Sequence, residues 1–102
     1  MTRTLSICAD DYALSEAISW GILELAQQKR ISAISCMTDS RFWPEHAHAL
    51  DFAGTDVSVG LHFNLTEGLS AEDMPLGRCI ALSVTGKLDK EMVRRRLNTQ
   101  LD

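Results

Sequence analysis

An α/β chain of parallel βαβ units is what the sequence predicts, on three observations. Apolar runs of strand length recur at residues 4–9, 31–37 and 57–64. The segments between them carry helical spacing and cap residues. The connections are short, and strands joined through helices pair in parallel by right-handed crossovers.

The run 4–9 is continuous, apolar and β-tolerant. Ser15 then caps a helix predicted over 16–28, in which Ile18, Ile22, Leu25 and Ala26 share a face and Lys29-Arg30 suit the C-terminal end. Residues 31–37 form the second strand and 38–43 a loop. Pro44-Glu45 opens a helix running to about residue 52, and Gly54-Thr55-Asp56 turns the chain into the third strand, 57–64. Phe42 and Trp43 are expected to pack under that second helix rather than line a pocket mouth.

Beyond Asn64 the pattern loosens. Residues 65–78, with Gly68, Pro75 and Gly77, read as a long loop, and 79–84 as a short strand before a Thr85-Gly86 turn. Asp89 caps a last helix with Val93, Leu97 and Leu101 along one face. That helix reaches Asp102 without a terminating residue, and three parallel strands leave a sheet edge open. The expectation is a single incomplete α/β domain over residues 1–102, the first part of a larger one.

A hydrophobic fraction of 45% is enough for a core and speaks against disorder. The net charge of −4 argues against nucleic acid as the main partner. The basic cluster Lys87, Lys90, Arg94, Arg95 and Arg96 reads as a solvated helix face. Cys8, Cys36 and Cys79 form no CxxC pair, and Cys8 and Cys36 lie in apolar runs as expected core thiols. No signal peptide precedes the first strand and no apolar run is long enough for a membrane span, so a reducing cytoplasm is the expected setting.

The chemistry concentrates at strand ends, where ligands collect in open α/β sheets and barrels. Ala9-Asp10-Asp11 puts adjacent carboxylates at the end of the first strand, and a cation or a shared proton relieves their repulsion. If one carboxylate binds a divalent metal, the other serves as a general base. Neighbouring strand residues point to opposite faces, so one must turn for both to reach one pocket. A turn cap beside a solvated Asp satisfies the same pattern. His62 ends the third apolar run in the same layer, either as a metal ligand or as a satisfied core residue. Imidazole with carboxylate suits zinc, manganese, cobalt or iron, and magnesium less naturally. Asn64 and Thr66 follow as candidates for substrate contact or for supporting the metal ligands. His46 and His48 do not share a helix face and read as surface residues. A receiver domain also places an acidic pair after its first strand, but residues 57–66 lack the Asp such a domain phosphorylates.

Ala9-Asp10-Asp11-Tyr12-Ala13-Leu14-Ser15 resembles the signature that opens the YdjC-like carbohydrate deacetylases. Ser35-Cys36-Met37 and the stretch from Val59-Gly60-Leu61-His62-Phe63-Asn64 to Leu65-Thr66-Glu67-Gly68 are similar to that family too. The resemblance implies the N-terminal part of a distorted (β/α) barrel that removes acetyl groups from N-acetylated sugars. It implies Asp10 as general base, Asp11 and His62 as ligands of a divalent metal (Mg2+ or Zn2+), and an N-acetylated oligosaccharide or amino sugar as substrate. Tyr12 replaces the commoner Phe, and Ala13 stands where Gly is frequent, at a cost of about 1 kcal/mol if its φ is positive. Family members are longer, and their downstream His-x-His segment, source of a third ligand and a general acid, has no counterpart here. The 102-residue chain is therefore expected to be catalytically incompetent alone. The alternative is a non-catalytic metal-binding or oligomerising α/β module that joins copies through the open sheet edge.

Overall fold

The computed structural model describes residues 2–102. The chain divides into two compact units, one ending at His62 and the other spanning Phe63–Asp102.

The first unit alternates strands and helices. Strands β1 (Cys8–Tyr12), β2 (Ala33–Cys36) and β3 (Ser58–Leu61) form a parallel sheet in the order β1-β2-β3. Helix α1 (Glu16–Gln27) connects the first two strands. Helix α2 (Trp43–Ala49) and a 3-10 turn (Leu50–Ala53) connect the second and third. The predicted α/β class with parallel βαβ units is present. The ladders are shorter than the apolar runs, because β1 begins pairing only at Cys8.

Ser15 caps α1 as its position demands: it is extended (φ −148°, ψ 165°) and its side chain accepts from the Ile18 amide. The buried face is Ser19, Ile22, Leu23 and Ala26. This corrects the expected stripe by a rotation, since Ile18 and Leu25 are 38% and 42% exposed. Buried Ser19 explains the shift. Its hydroxyl donates to the Ser15 carbonyl and accepts from the Ala13 amide, which commits this face to the β1–α1 turn.

That turn carries stored strain. Asp11 and Ala13 both have positive φ, 71° and 77°, where an L side chain is unfavourable. Ala13 is held there by the Ser19 bond and by the Ser40 hydroxyl, which donates to its carbonyl.

The core of this unit is Tyr12, Ile22, Leu23, Ala26, Ile34, Cys36, Ala49 and Ala53, with Trp43 partly buried against it. The Tyr12 hydroxyl donates to the His46 carbonyl across 2.7 Å, so it ties β1 to α2. Tyr12→Phe removes this buried bond and is expected to lower stability by about 1 kcal/mol, read from denaturant midpoints. Burial also pushes the Tyr12 phenol up to about 12. Because the folded value is raised, stability is fully present below the ordinary value near 10 and declines as pH rises toward 12.

Two expectations are corrected in this unit. Cys36 is buried, and burial raises its thiol to about 11, but Cys8 is exposed because it lies on the sheet face opposite the helices. His46 is not a surface residue. It is fully buried, with its ring edge-on to Tyr12 and Trp20, while His48 is exposed as expected.

The second unit contains helices α3 (Leu76–Val84) and α4 (Lys90–Leu101). The strand expected over 79–84 is helical instead. Ile80 and Val84 favour strands locally, but they fall with Leu76 at four-residue spacing on one helix face, and all three are more than half exposed. Asp89 caps α4 as expected, accepting from the Glu91 amide. The buried residues of α4 are Arg96 and Gln100, not the apolar stripe, since Leu97 and Leu101 are 37% and 62% exposed. Arg96 is thereby withdrawn from the expected solvated basic face.

Arg96 and Gln100 organise a polar centre around Asn64 and Asp73. Gln100 accepts from the Asn64 amide and donates to its carbonyl, at 2.8 and 2.7 Å. Arg96 donates to the Asn64 carbonyl and to the Asp73 carboxylate. Asp73 also accepts from the Asn64 side chain and the Leu69 and Ser70 amides, which closes the 65–74 loop. Burial alone would raise the Asp73 carboxyl. The bonds from Arg96, Asn64 and the two amides outweigh that and leave it below the usual carboxylate range.

Candidate active site

The site begins with a bulge. In the β1–β2 ladder Ala9 pairs with Ile34 and Tyr12 with Cys36, so Asp10 and Asp11 together stand opposite Ser35. An extra residue bends its strand and re-aims side chains. Here the left-handed φ of Asp11 is the device by which adjacent carboxylates escape strict alternation.

Ser35 lies opposite the bulge on the central strand, and its hydroxyl donates to Asp10 Oδ1 at 2.8 Å. The Cys8 thiol donates to the same oxygen at 3.5 Å. The Ser35 and Cys8 bonds, helped by the charge field of His62, hold the Asp10 carboxyl below its ordinary value. The exposed Asp10 is thus ionised at neutral pH, as a proton acceptor must be.

His62 follows β3 directly. Its backbone amide donates to the Cys36 carbonyl at 2.8 Å, which continues the ladder by one step and fixes the ring's starting point. Its Nδ1 lies 3.0 Å from Asp11 Oδ1. Despite that distance the pair lacks hydrogen-bond alignment, and Nδ1 is shielded from solvent without another partner. Two such atoms brought together unaligned suit a shared cation, because ligands at ~2.1 Å from one ion stand roughly 3–4 Å apart. The donor set of one imidazole and one carboxylate fits a divalent metal of the zinc or manganese kind. Asp11 and His62 gain no third ligand of the usual types among the described residues.

The structure therefore brings Asp10, Asp11 and His62 together at one end of the sheet, with Ser35 beside them. Ser35 lay in the family-like stretch Ser35-Cys36-Met37, with no chemical role expected of it. Its signal was a polar residue within the apolar run 31–37, on the face that alternation assigns to the strand-end carboxylate. Asn64 and Thr66 belong to the second unit. The Asn64 side chain is buried and committed, donating to Asp73 and accepting from the Thr66 and Glu67 amides.

The YdjC-like protein family profile matches residues 4–102. The chain belongs to the YdjC-like family. Chitooligosaccharide deacetylase of Enterobacter sp. (strain 638) is 30% identical over 110 aligned positions, covering 100% of this chain and 43% of that protein. Chitooligosaccharide deacetylase of Serratia marcescens is 33% identical over 96 positions, covering 93% of this chain and 36% of the relative. Carbohydrate deacetylase of Geobacillus stearothermophilus is 33% identical over 75 positions, covering 74% and 30% respectively. The chain thus spans well under half the length of these curated relatives. No solved structure matches it significantly.

Proposed function

We propose that this chain carries part of the active site of a metal-dependent deacetylase acting on N-acetylated sugars. The observation that supports it most is the unaligned 3.0 Å approach of His62 Nδ1 to Asp11 Oδ1, next to an ionised Asp10. Asp11 and His62 hold the divalent cation, zinc or magnesium, which when bound supplies a Lewis acid for the acetamide carbonyl. Asp10 receives the proton of the attacking water at its carboxylate. Ser35 fixes the direction of that carboxylate through Oδ1, leaving Oδ2 for the water. Asn64 and Thr66, two and four residues beyond His62, are proposed to serve the sugar, Asn64 by shaping the loop backbone and Thr66 through its hydroxyl.

The open sheet face with Cys8, Asp10 and Ser35 is proposed as inner wall of a distorted (β/α) barrel, of which residues 1–102 are one incomplete N-terminal domain. No described helix is long and apolar enough to cross a membrane; a cytoplasmic setting and a homo-oligomer remain part of the proposal.

The test is acetate release from N-acetylated chitooligosaccharides by the protein purified from its native source, with and without chelator. Chelator-sensitive release supports the reading. Its absence favours the non-catalytic metal-binding module. The 102-residue polypeptide alone is expected to release acetate only at background, since a catalytic metal usually takes three protein ligands and this pair supplies two. Measurable release by that polypeptide refutes the two-ligand account.

A further inference from the structure

We propose a second divalent-cation site, independent of Asp11 and His62, formed by Glu16, Glu45 and His46. Each of the three offers a ligand atom within 4.8 Å of the others, two carboxylate oxygens and one imidazole nitrogen. The independent observation is His46 itself. It is fully buried, and both ring nitrogens are shielded from solvent without a hydrogen-bond partner. An imidazole buried in this way forfeits the bond it would make to water, and native structures rarely leave such groups unpaired without an ion, a water or a chemical role.

The surroundings narrow the explanation. Trp20 and Tyr12 pack at steep angles to the ring, with centroids 5.5 and 6.0 Å away, and neither supplies a hydrogen-bond partner to its nitrogens. Glu16 opens α1, while Glu45 and His46 are neighbours on α2, so the cluster sits where the two helices start. The two glutamates place like charges close together, and neither is ion-paired among the described residues. A cation relieves the repulsion between the glutamates and takes up the lone pair of one of the two ring nitrogens.

Closing a tetrahedral shell requires ligand atoms ~3.4 Å apart at metal distances of ~2.1 Å. Both glutamates are exposed and swing on flexible side chains, so the required approach, at most about 1.4 Å, needs no movement of the buried His46. One imidazole with two carboxylates selects zinc or a similar first-row cation over calcium, which takes oxygen ligands. Bound there, the ion links the first turn of α1 to α2.

Trp20 gives the test its reporter. In a Trp43→Phe background, Co2+ is titrated as a zinc stand-in while Trp20 emission is followed, with Zn2+ as competitor. The Asp11→Asn/His62→Gln variant removes the proposed catalytic site. Glu16→Gln/Glu45→Gln alters only exposed carboxylates, and circular dichroism verifies its fold. Saturable quenching that Zn2+ reverses is expected to persist in Asp11→Asn/His62→Gln and to weaken at least ten-fold in Glu16→Gln/Glu45→Gln. Unquenched emission in the first variant, or undiminished quenching in the second, overturns the site. Neither result bears on whether Asp11 and His62 bind metal, which the catalytic-site measurements read separately.

Discussion

Asp73→Ala is expected to unfold the second unit, or to lower its stability by about 3–5 kcal/mol, the usual loss when one partner of a buried ion pair is removed. The Asp73 and Arg96 side chains are 2% and 4% exposed, so the substitution removes the buried counter-charge of the guanidinium and leaves it the more exposed Glu72 at 3.7 Å. It also removes the acceptor for Asn64, Leu69 and Ser70. A unit of this size rarely holds more than about 3–5 kcal/mol of stability, so this change removes most of it. Hydrogen exchange of the α4 amides reads the effect directly. Asp73→Leu combined with Arg96→Met should recover part of the loss, because no charge is then left buried alone. The pH dependence follows from the lowered Asp73 carboxyl. Its contribution is present above the ordinary Asp value and is lost as pH falls through the folded value. Acid unfolding of this unit should therefore begin near pH 4, and Asp73→Ala should flatten that limb.

Asp10→Asn is expected to lower turnover of the native protein by about two to four orders of magnitude while leaving metal affinity nearly unchanged. Asp11→Asn is expected to lose metal and turnover together. It keeps the left-handed backbone, which Asn tolerates well, and removes a charged ligand, so metal affinity should fall by more than the ~10–100-fold typical of losing a supporting hydrogen bond. Metal content and acetate release measured on both variants separate the roles. Loss of metal along with turnover in Asp10→Asn would make the two carboxylates a single unit and remove Asp10 as the base.

The parts of this structure legible in the sequence were those encoded locally. Ser15 and Asp89 announce helix starts because a cap needs only its own side chain and the next turn. The parallel βαβ order was legible for the same reason, as apolar runs and helical spacing are short-range signals. The misreadings share a different cause. The buried face of α4 is polar, and hydrophobic periodicity cannot find an arginine whose burial depends on Asp73, 23 residues away. The helix α3 hid behind β-branched Ile80 and Val84. In the site, the motif supplied Asp10, Asp11 and His62, but the bulge that turns the carboxylates is a property of two strands together. The partnership of Ser35 with Asp10 follows from that register and was not visible before it.

The most direct test of the central claim is nitrogen-15 NMR of the His62 imidazole during addition of Zn2+. The account predicts that the Nδ1 resonance of His62 moves on metal binding, that Asp11→Asn suppresses the movement, and that Asp10→Asn does not. A His62 ring unaffected by excess Zn2+ would contradict it, leaving the 3.0 Å approach to Asp11 an ordinary polar contact.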